Sequence, residues 1–333
     1  MNWVQIGVNQ IGFYLIIISK LIVRKDFNLW YFLIIFIFKK VINLFCYISL
    51  CLLILVSIAF LTLIERKLLG FSGIRLGPNY ISLIGVFQPF TDIIKLLFKK
   101  FILIRFSDYF FWLISPIWGL ILLLISFLFL DIYIYIIFNE IRIIIIFVIY
   151  SLIIYFFIFT RWSSNNKFRI ISRTRSLVQV ISYEVGFIFI VILIFMIEFS
   201  TNLNFLIMNE FNFITINLIF IIIWIIISLS ELNRSPFDFL EGESELVSGF
   251  NLEFRRIGFI LIFLVEYGFL FFLSYLSSLI LWSNIIMIFF FLILFITLRG
   301  RFPRIRFDLM ILLYWKDLLI LIITFFFIIN IIL

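Results

Sequence analysis

The sequence predicts an all-α, polytopic integral membrane protein with eight transmembrane helices, an amphipathic surface helix after the first of them and an N-terminal extension. Three observations carry this. The 333 residues are 65% hydrophobic and only 13% charged, with a mean hydropathy of +1.30, far outside the balance of a soluble domain. Apolar runs of membrane length recur along the chain, each bounded by charge. Lys and Arg also gather on alternate sides of those runs, as membrane orientation requires.

Residues 1–40 hold two short apolar runs, Ile11–Val23 and Phe27–Phe38, separated by Arg24, Lys25 and Asp26. Each is short for a span, so 1–40 reads as an interfacial or partner-contacting extension, with one tilted span as the alternative. Met1 to Val8 has no basic residue, which argues against a cleaved leader. Residues 41–333 form the eight-span domain. Its first span, Val41–Ile64, stops at Glu65-Arg66-Lys67. A looser stretch follows, Gly73-Ile-Arg-Leu-Gly-Pro-Asn79, and then Gln88 to Lys100. There Asp92, Lys95 and Lys99 recur at three- and four-residue spacing among apolar neighbours, the pattern of a surface helix. Spans two to eight read as Tyr109–Leu130, Ile141–Phe159, Ser176–Ile197, Phe213–Leu229, Ile257–Leu281, Ile285–Leu298 and Ile311–Ile332.

With this alternation, most of the 26 Lys and Arg fall on one side, and Arg142 stands alone on the other once the extension is set aside. The positive side is cytoplasmic in a cell membrane and matrix-facing in a mitochondrion. Lys39 and Lys40 run against the rule. Orientation accounts for the net charge of +8, and no soluble basic module is present to bind nucleic acid. His is absent and the two cysteines, Cys46 and Cys51, lie inside an apolar run. The chain therefore lacks the ligands for a metal or an iron-sulfur cluster, and any redox cofactor belongs to a partner. No Gly-rich nucleotide turn occurs.

The chemistry concentrates in Ser230–Phe254, between spans five and six, which holds Glu231, Asp238, Glu241, Glu243, Glu245 and Glu253. Keeping so many carboxylates ionised beside membrane segments is costly, because low dielectric and like charge both oppose it. A solvated acidic loop is the plainer reading of Glu241, Glu243 and Glu245. On the same positive side lie Glu65, Arg66, Arg75, Asp92, Arg161, Arg175, Arg234 and Arg299. Together with Glu231 and Asp238 they are expected to converge on one polar vestibule, a suitable mouth for an amphipathic, lipid-borne substrate. Glu184 and Glu266 lie at membrane depth with no Lys or Arg one turn away. Such acids mark ion or proton paths and titrate as a coupled set, with a protonated, structural hydrogen-bonding role as the alternative. Tyr183, Tyr267, Trp162 and Trp315 read as packing or interface aromatics.

Several blocks closely resemble the subunit 1 family of proton-pumping NADH:ubiquinone oxidoreductase, respiratory complex I. They are Glu65-Arg-Lys-Leu-Leu-Gly70, Arg75-Leu-Gly-Pro-Asn79, Gln88-Pro-Phe-Thr-Asp92, Trp162-Ser-Ser-Asn165, Gln179-Val-Ile-Ser-Tyr-Glu184, Glu231-Leu-Asn-Arg-Ser-Pro-Phe-Asp238, Glu241 to Asn251 and Pro303 to Asp308. The resemblance runs in order from about residue 42 to the C-terminus. It implies eight spans, ubiquinone as substrate, and flavin and iron-sulfur clusters held by other subunits.

The resemblance further implies Glu65, Arg66, Arg75, Asp92, Arg234 and Arg299 along a quinone tunnel, and Glu184, Glu231, Asp238, Glu241, Glu253 and Glu266 on an acidic proton path, with Glu243 and Glu245 in the same loop. Implied partners are the hydrophilic-arm quinone-site subunits, the small membrane subunits leading to the antiporter-like ones, and membrane lipids. The implied location is the mitochondrial inner membrane, with a bacterial plasma membrane as the alternative. Lys100, Leu309 and Arg255-Arg256 depart from the family pattern, and 1–40 has no counterpart in it. The rival readings are a stand-alone cation/proton antiporter, for which no internal repeat is found, and a purely structural anchor.

Overall fold

The computed structural model describes residues 29–79, 85–99, 109–130, 142–162, 167–198, 218–238, 257–282 and 286–332. Secondary structure in these residues is helical throughout. Helix α1 spans Leu29–Ser72, and the chain divides within it into two compact units, Met1–Leu53 and Ile54–Leu333. In the first unit the described residues are the N-terminal part of α1. The site and its packing belong to the second.

That second unit continues with α2 (Gln88–Leu97), α3 (Tyr109–Leu130), α4 (Arg142–Trp162), α5 (Lys167–Glu198), α6 (Leu218–Glu231), α7 (Ile257–Trp282), α8 (Met287–Arg301), α9 (Phe307–Leu312), a π-helical turn (Leu313–Leu318) and α10 (Leu319–Ile332). Among the described residues, four stretches are long and apolar enough to cross a membrane: Phe45–Ser72, Phe110–Phe129, Ile257–Leu281 and Phe307–Ile328. Ile144–Thr160, Leu177–Leu193 and Ile219–Glu231 are shorter apolar helices.

Helix α7 packs against α3 and α8, while α5 packs against α4, α6 and α10. Small residues set how closely these helices approach. A Cβ built on Gly119 would stand 2.5 Å from the Phe156 ring of α4, and one on Gly268 would stand 2.5 Å from Leu123 of α3. Several serines inside the apolar helices satisfy themselves locally. Ser126, Ser228, Ser230, Ser274, Ser277 and Ser278 each donate to the carbonyl three residues back, so no hydroxyl among them is left facing hydrocarbon.

Element limits differ from the sequence reading where charges find partners. The first apolar run was expected to stop at Ile64, yet α1 continues through Glu65-Arg66-Lys67 to Ser72, because Glu65 and Arg66 are paired across the fold instead of standing in lipid. Likewise α5 starts at Lys167, ahead of the expected Ser176. The last apolar helix starts at Phe307 and carries a π turn that hydropathy gives no sign of. Residues 1–28, on which most of the proposed extension falls, lie outside the described residues.

Candidate functional site

Glu65 stands near the C-terminal end of α1, only 2% exposed, between two arginines. Arg234 Nη1 donates to Oε2 at 3.1 Å and to Oε1 at 3.2 Å, and Arg299, from the end of α8, forms an ion pair with the same carboxylate. The guanidinium of Arg234 also lies over the ring of Tyr267 on α7, 4.4 Å from its centroid, and Tyr267 turns its hydroxyl toward Glu65. One buried anion thus gathers three separate elements. Two cations on one carboxylate leave a net positive centre at the site.

The segment carrying Arg234 is shaped by its own sequence. Helix α6 ends at Glu231, and Asn233 follows with φ 51°, the left-handed conformation that Asn tolerates after a helix C-terminus. Asn233 Nδ2 donates to the Glu231 carbonyl at 3.2 Å and its amide to Ser230 O at 3.2 Å. The Ser235-Pro236 peptide bond is cis. Beyond it the turn docks on the end of α8 and the loop that follows, where Ser235 Oγ donates to Arg299 O at 3.3 Å and the Ile305 amide to Pro236 O at 3.1 Å. Asp238, 7% exposed, pairs there with Arg304 at 3.4 Å. From α5, Gln179 Nε2 donates to Ser230 O at 2.7 Å and Phe237 O at 3.2 Å, tying both ends of the segment down.

A second clasp joins α1 to α2. Arg66 Nη1 meets Asp92 Oδ2 at 2.6 Å, and Gln88 Nε2 donates to Asp92 Oδ1 at 3.1 Å. Pro89 opens α2 where a missing amide costs nothing. Two cavities meet here. One, of about 390 Å³, is walled mainly by apolar side chains, among them Ile58, Ala59, Phe259, Phe263 and Leu264. The other, of about 420 Å³, is polar and lined by Glu65, Ser235, Asp238, Arg299 and Arg304. Arg66 and Tyr267 line both.

A buried acidic group lies among α4, α5, α6 and the π turn. Glu231 is 1% exposed and its carboxylate oxygens find no hydrogen-bond partner among the described residues. Tyr150, Tyr183 and Tyr314 surround it closely enough to feel its charge, as does half-buried Glu184. The rings of Tyr183 and Tyr314 are 4.6 Å apart. Glu266 is half-buried on α7, next to Tyr267.

The expected residues therefore sort into groups. Glu65, Arg234 and Arg299 come together, as do Arg66 with Asp92 and Glu231 with Glu184. Arg75 is exposed in a loop folded back on α1, its amide on Gly70 O at 3.0 Å, and lines neither cavity. Arg175 lies over the Phe307 ring at 6.0 Å, away from both linings. Glu241, Glu243, Glu245 and Glu253 lie outside the described residues, as does the side chain of Arg161. Sequence reasoning missed Arg304, Tyr150 and Tyr314, and took Tyr267 for packing. Arg304 sits in the family-like block Pro303 to Asp308, but nothing local distinguishes two tyrosines among 13.

A family model described as NADH dehydrogenase matches residues 45–330. NADH-ubiquinone oxidoreductase chain 1 of Aedes aegypti is 39% identical over 275 residues, covering 80% of this chain and 88% of that protein. The protein of the same name from Locusta migratoria is 37% identical over 283 residues, 82% of this chain and 90% of its own. That of Apis mellifera ligustica is 37% identical over 282 residues, 82% and 92%. The chain belongs to the NADH dehydrogenase family, with NADH-ubiquinone oxidoreductase chain 1 proteins as its relatives.

Proposed function

We propose that this chain is a core membrane subunit of NADH:ubiquinone oxidoreductase that forms the membrane-side part of the ubiquinone tunnel and an acidic proton path coupling quinone reduction to pumping. One observation carries the reading: an apolar cavity and a polar one share Arg66 and Tyr267 as wall, beside the buried Glu65–Arg234–Arg299 group. An isoprenoid tail suits the apolar cavity, and a quinone headgroup suits polar walls with fixed hydrogen-bond donors. Flavin and iron-sulfur clusters belong to partner subunits, and the chain has no complete active site alone.

In this reading the chain crosses the mitochondrial inner membrane eight times, α2 lies along the surface and 1–40 meets partners or the interface. The hydrophilic-arm quinone-site subunits cover the polar mouth, and small membrane subunits continue the path toward the antiporter-like ones. Charge changes at the quinone act on Glu231 and Glu184, and onward through Glu266. The mutual repulsion of nearby carboxylates is on the order of 4 kcal/mol at about 4 Å and an effective dielectric near 20.

The test uses the assembled complex. Leu264→Trp, which fills the apolar cavity, is expected to abolish NADH-driven quinone reduction while NADH oxidation by a water-soluble acceptor continues. Unchanged quinone reduction removes the tunnel assignment. In sealed membranes Glu184→Gln and Glu266→Gln are expected to impair coupled turnover, and normal pumping in both removes the path.

A further inference from the structure

The apolar stretch Phe307–Ile328 contains a charged pair that neither the quinone nor the proton reading uses. Its inward stripe is Met310, Tyr314, Leu318 and Ile322, all buried and spaced by four. At 3.6 residues per turn, a four-residue spacing rotates steadily away from its neighbour. The π turn at Leu313–Leu318 is wider and slows that drift, and α9, the turn and α10 all stay against α5. With the stripe held inward, Trp315, Lys316 and Asp317 are exposed on the outer surface.

Their depth is the difficulty. Lys316 lies nine residues beyond Phe307, roughly 13 Å along the helix axis, near the middle of a hydrocarbon core about 30 Å thick. Charges facing lipid there are expensive and as a rule meet partners. Adjacent helical residues do not face one another, and among the described residues neither Lys316 nor Asp317 forms an ion pair. This stretch is also the least covered of the four membrane-length helices.

We infer that the outer face of the last membrane helix, centred on Lys316 and Asp317, is the docking seam for a transmembrane helix of another subunit, which presents a carboxylate to Lys316 and a hydrogen-bond donor to Asp317. The inference rests on the chain working within a multi-subunit assembly. It needs neither the quinone tunnel nor the proton path, and its readout involves neither.

A membrane-permeant carbodiimide, which joins an amine to a carboxylate in direct contact, is applied to membranes holding the intact complex, and the products are mapped by mass spectrometry. The expected product joins Lys316 to an Asp or Glu within a transmembrane helix of a different polypeptide. Joining to this chain or to a second copy overturns the inference. So does an uncoupled Lys316, whether or not it reacts with a membrane-impermeant amine reagent from the water.

The variant Lys316→Leu with Asp317→Leu separates partner from lipid by sign. Against lipid, removing both charges leaves recovery of the complex unchanged or raised, which overturns the seam. Against a partner, recovery falls about fivefold, while Lys316→Arg stays near the parental level.

Discussion

Arg234 faces Tyr267 and Glu65 at once, its guanidinium 4.4 Å from the phenol ring centroid and 3.1 Å from the carboxylate. Only a planar, delocalised cation can stack on a ring with its face and donate from its edge. Arg234→Lys keeps the charge, and an ammonium can still reach the carboxylate as the single Nη1 does, but it loses the stack. Arg234→Ala strands half of a buried anion's compensation, a loss of about 3–5 kcal/mol. The assembled complex is expected to inactivate at a markedly lower temperature in the Ala variant, with Lys intermediate. Equal thermal inactivation of Lys and wild type would show that the stack is unimportant.

Asn233 sets the direction in which Arg234 leaves α6. Its left-handed backbone suits Gly as well as Asn, whereas a β-branched residue pays roughly 1–2 kcal/mol for the same conformation. Asn233→Gly is therefore expected to leave quinone reductase activity nearly intact, and Asn233→Val to lower both stability and activity. Thermal inactivation curves of the two variants side by side check the order.

The close approach of α3 and α4 depends on Gly119. Phe156, fully buried, lies where a methyl group would go, at 2.5 Å from the ring. Gly119→Ala should cost about 1–3 kcal/mol by overpacking. Adding Phe156→Leu should recover part of it, since the double change makes room, and additive losses would count against this contact.

The Arg66–Asp92 clasp is more exposed, with side chains 54% and 31% accessible. Its contribution to stability is at most about 1 kcal/mol. Arg66 nevertheless lines both cavities, so under the proposed tunnel reading its effect belongs to substrate entry. Asp92→Asn is expected to leave thermal stability unchanged and raise KM for a long-chain quinone by roughly fivefold, the factor supplied by about 1 kcal/mol. An unchanged KM would detach the clasp from the quinone path.

Much of the architecture was legible from hydropathy. Tyr109–Leu130 has the limits read from the sequence, and Ile257 opens its helix as expected. Charge, not hydropathy, misplaced the end of α1: Glu65-Arg66-Lys67 looks like a boundary until its partners are known. The polar cluster was legible as a set of residue types, among them Glu65, Arg234 and Arg299. Its membership was not, since Arg75 stays in its loop while Arg304, from a neighbouring loop, reaches Asp238.

By itself, then, the sequence determined that the chain is helical, that it carries runs long and apolar enough to cross a membrane, and which family its polar motifs resemble, because these follow from composition, run length and local order. Tertiary structure alone decided that Glu65 meets Arg234, 169 residues away, and Arg299, 234 away, and that Glu231 sits among three tyrosines from three elements. The physical reason is that these helices are apolar nearly all round. Such a helix declares its solvent but not its neighbour, and only packing chooses which face meets which.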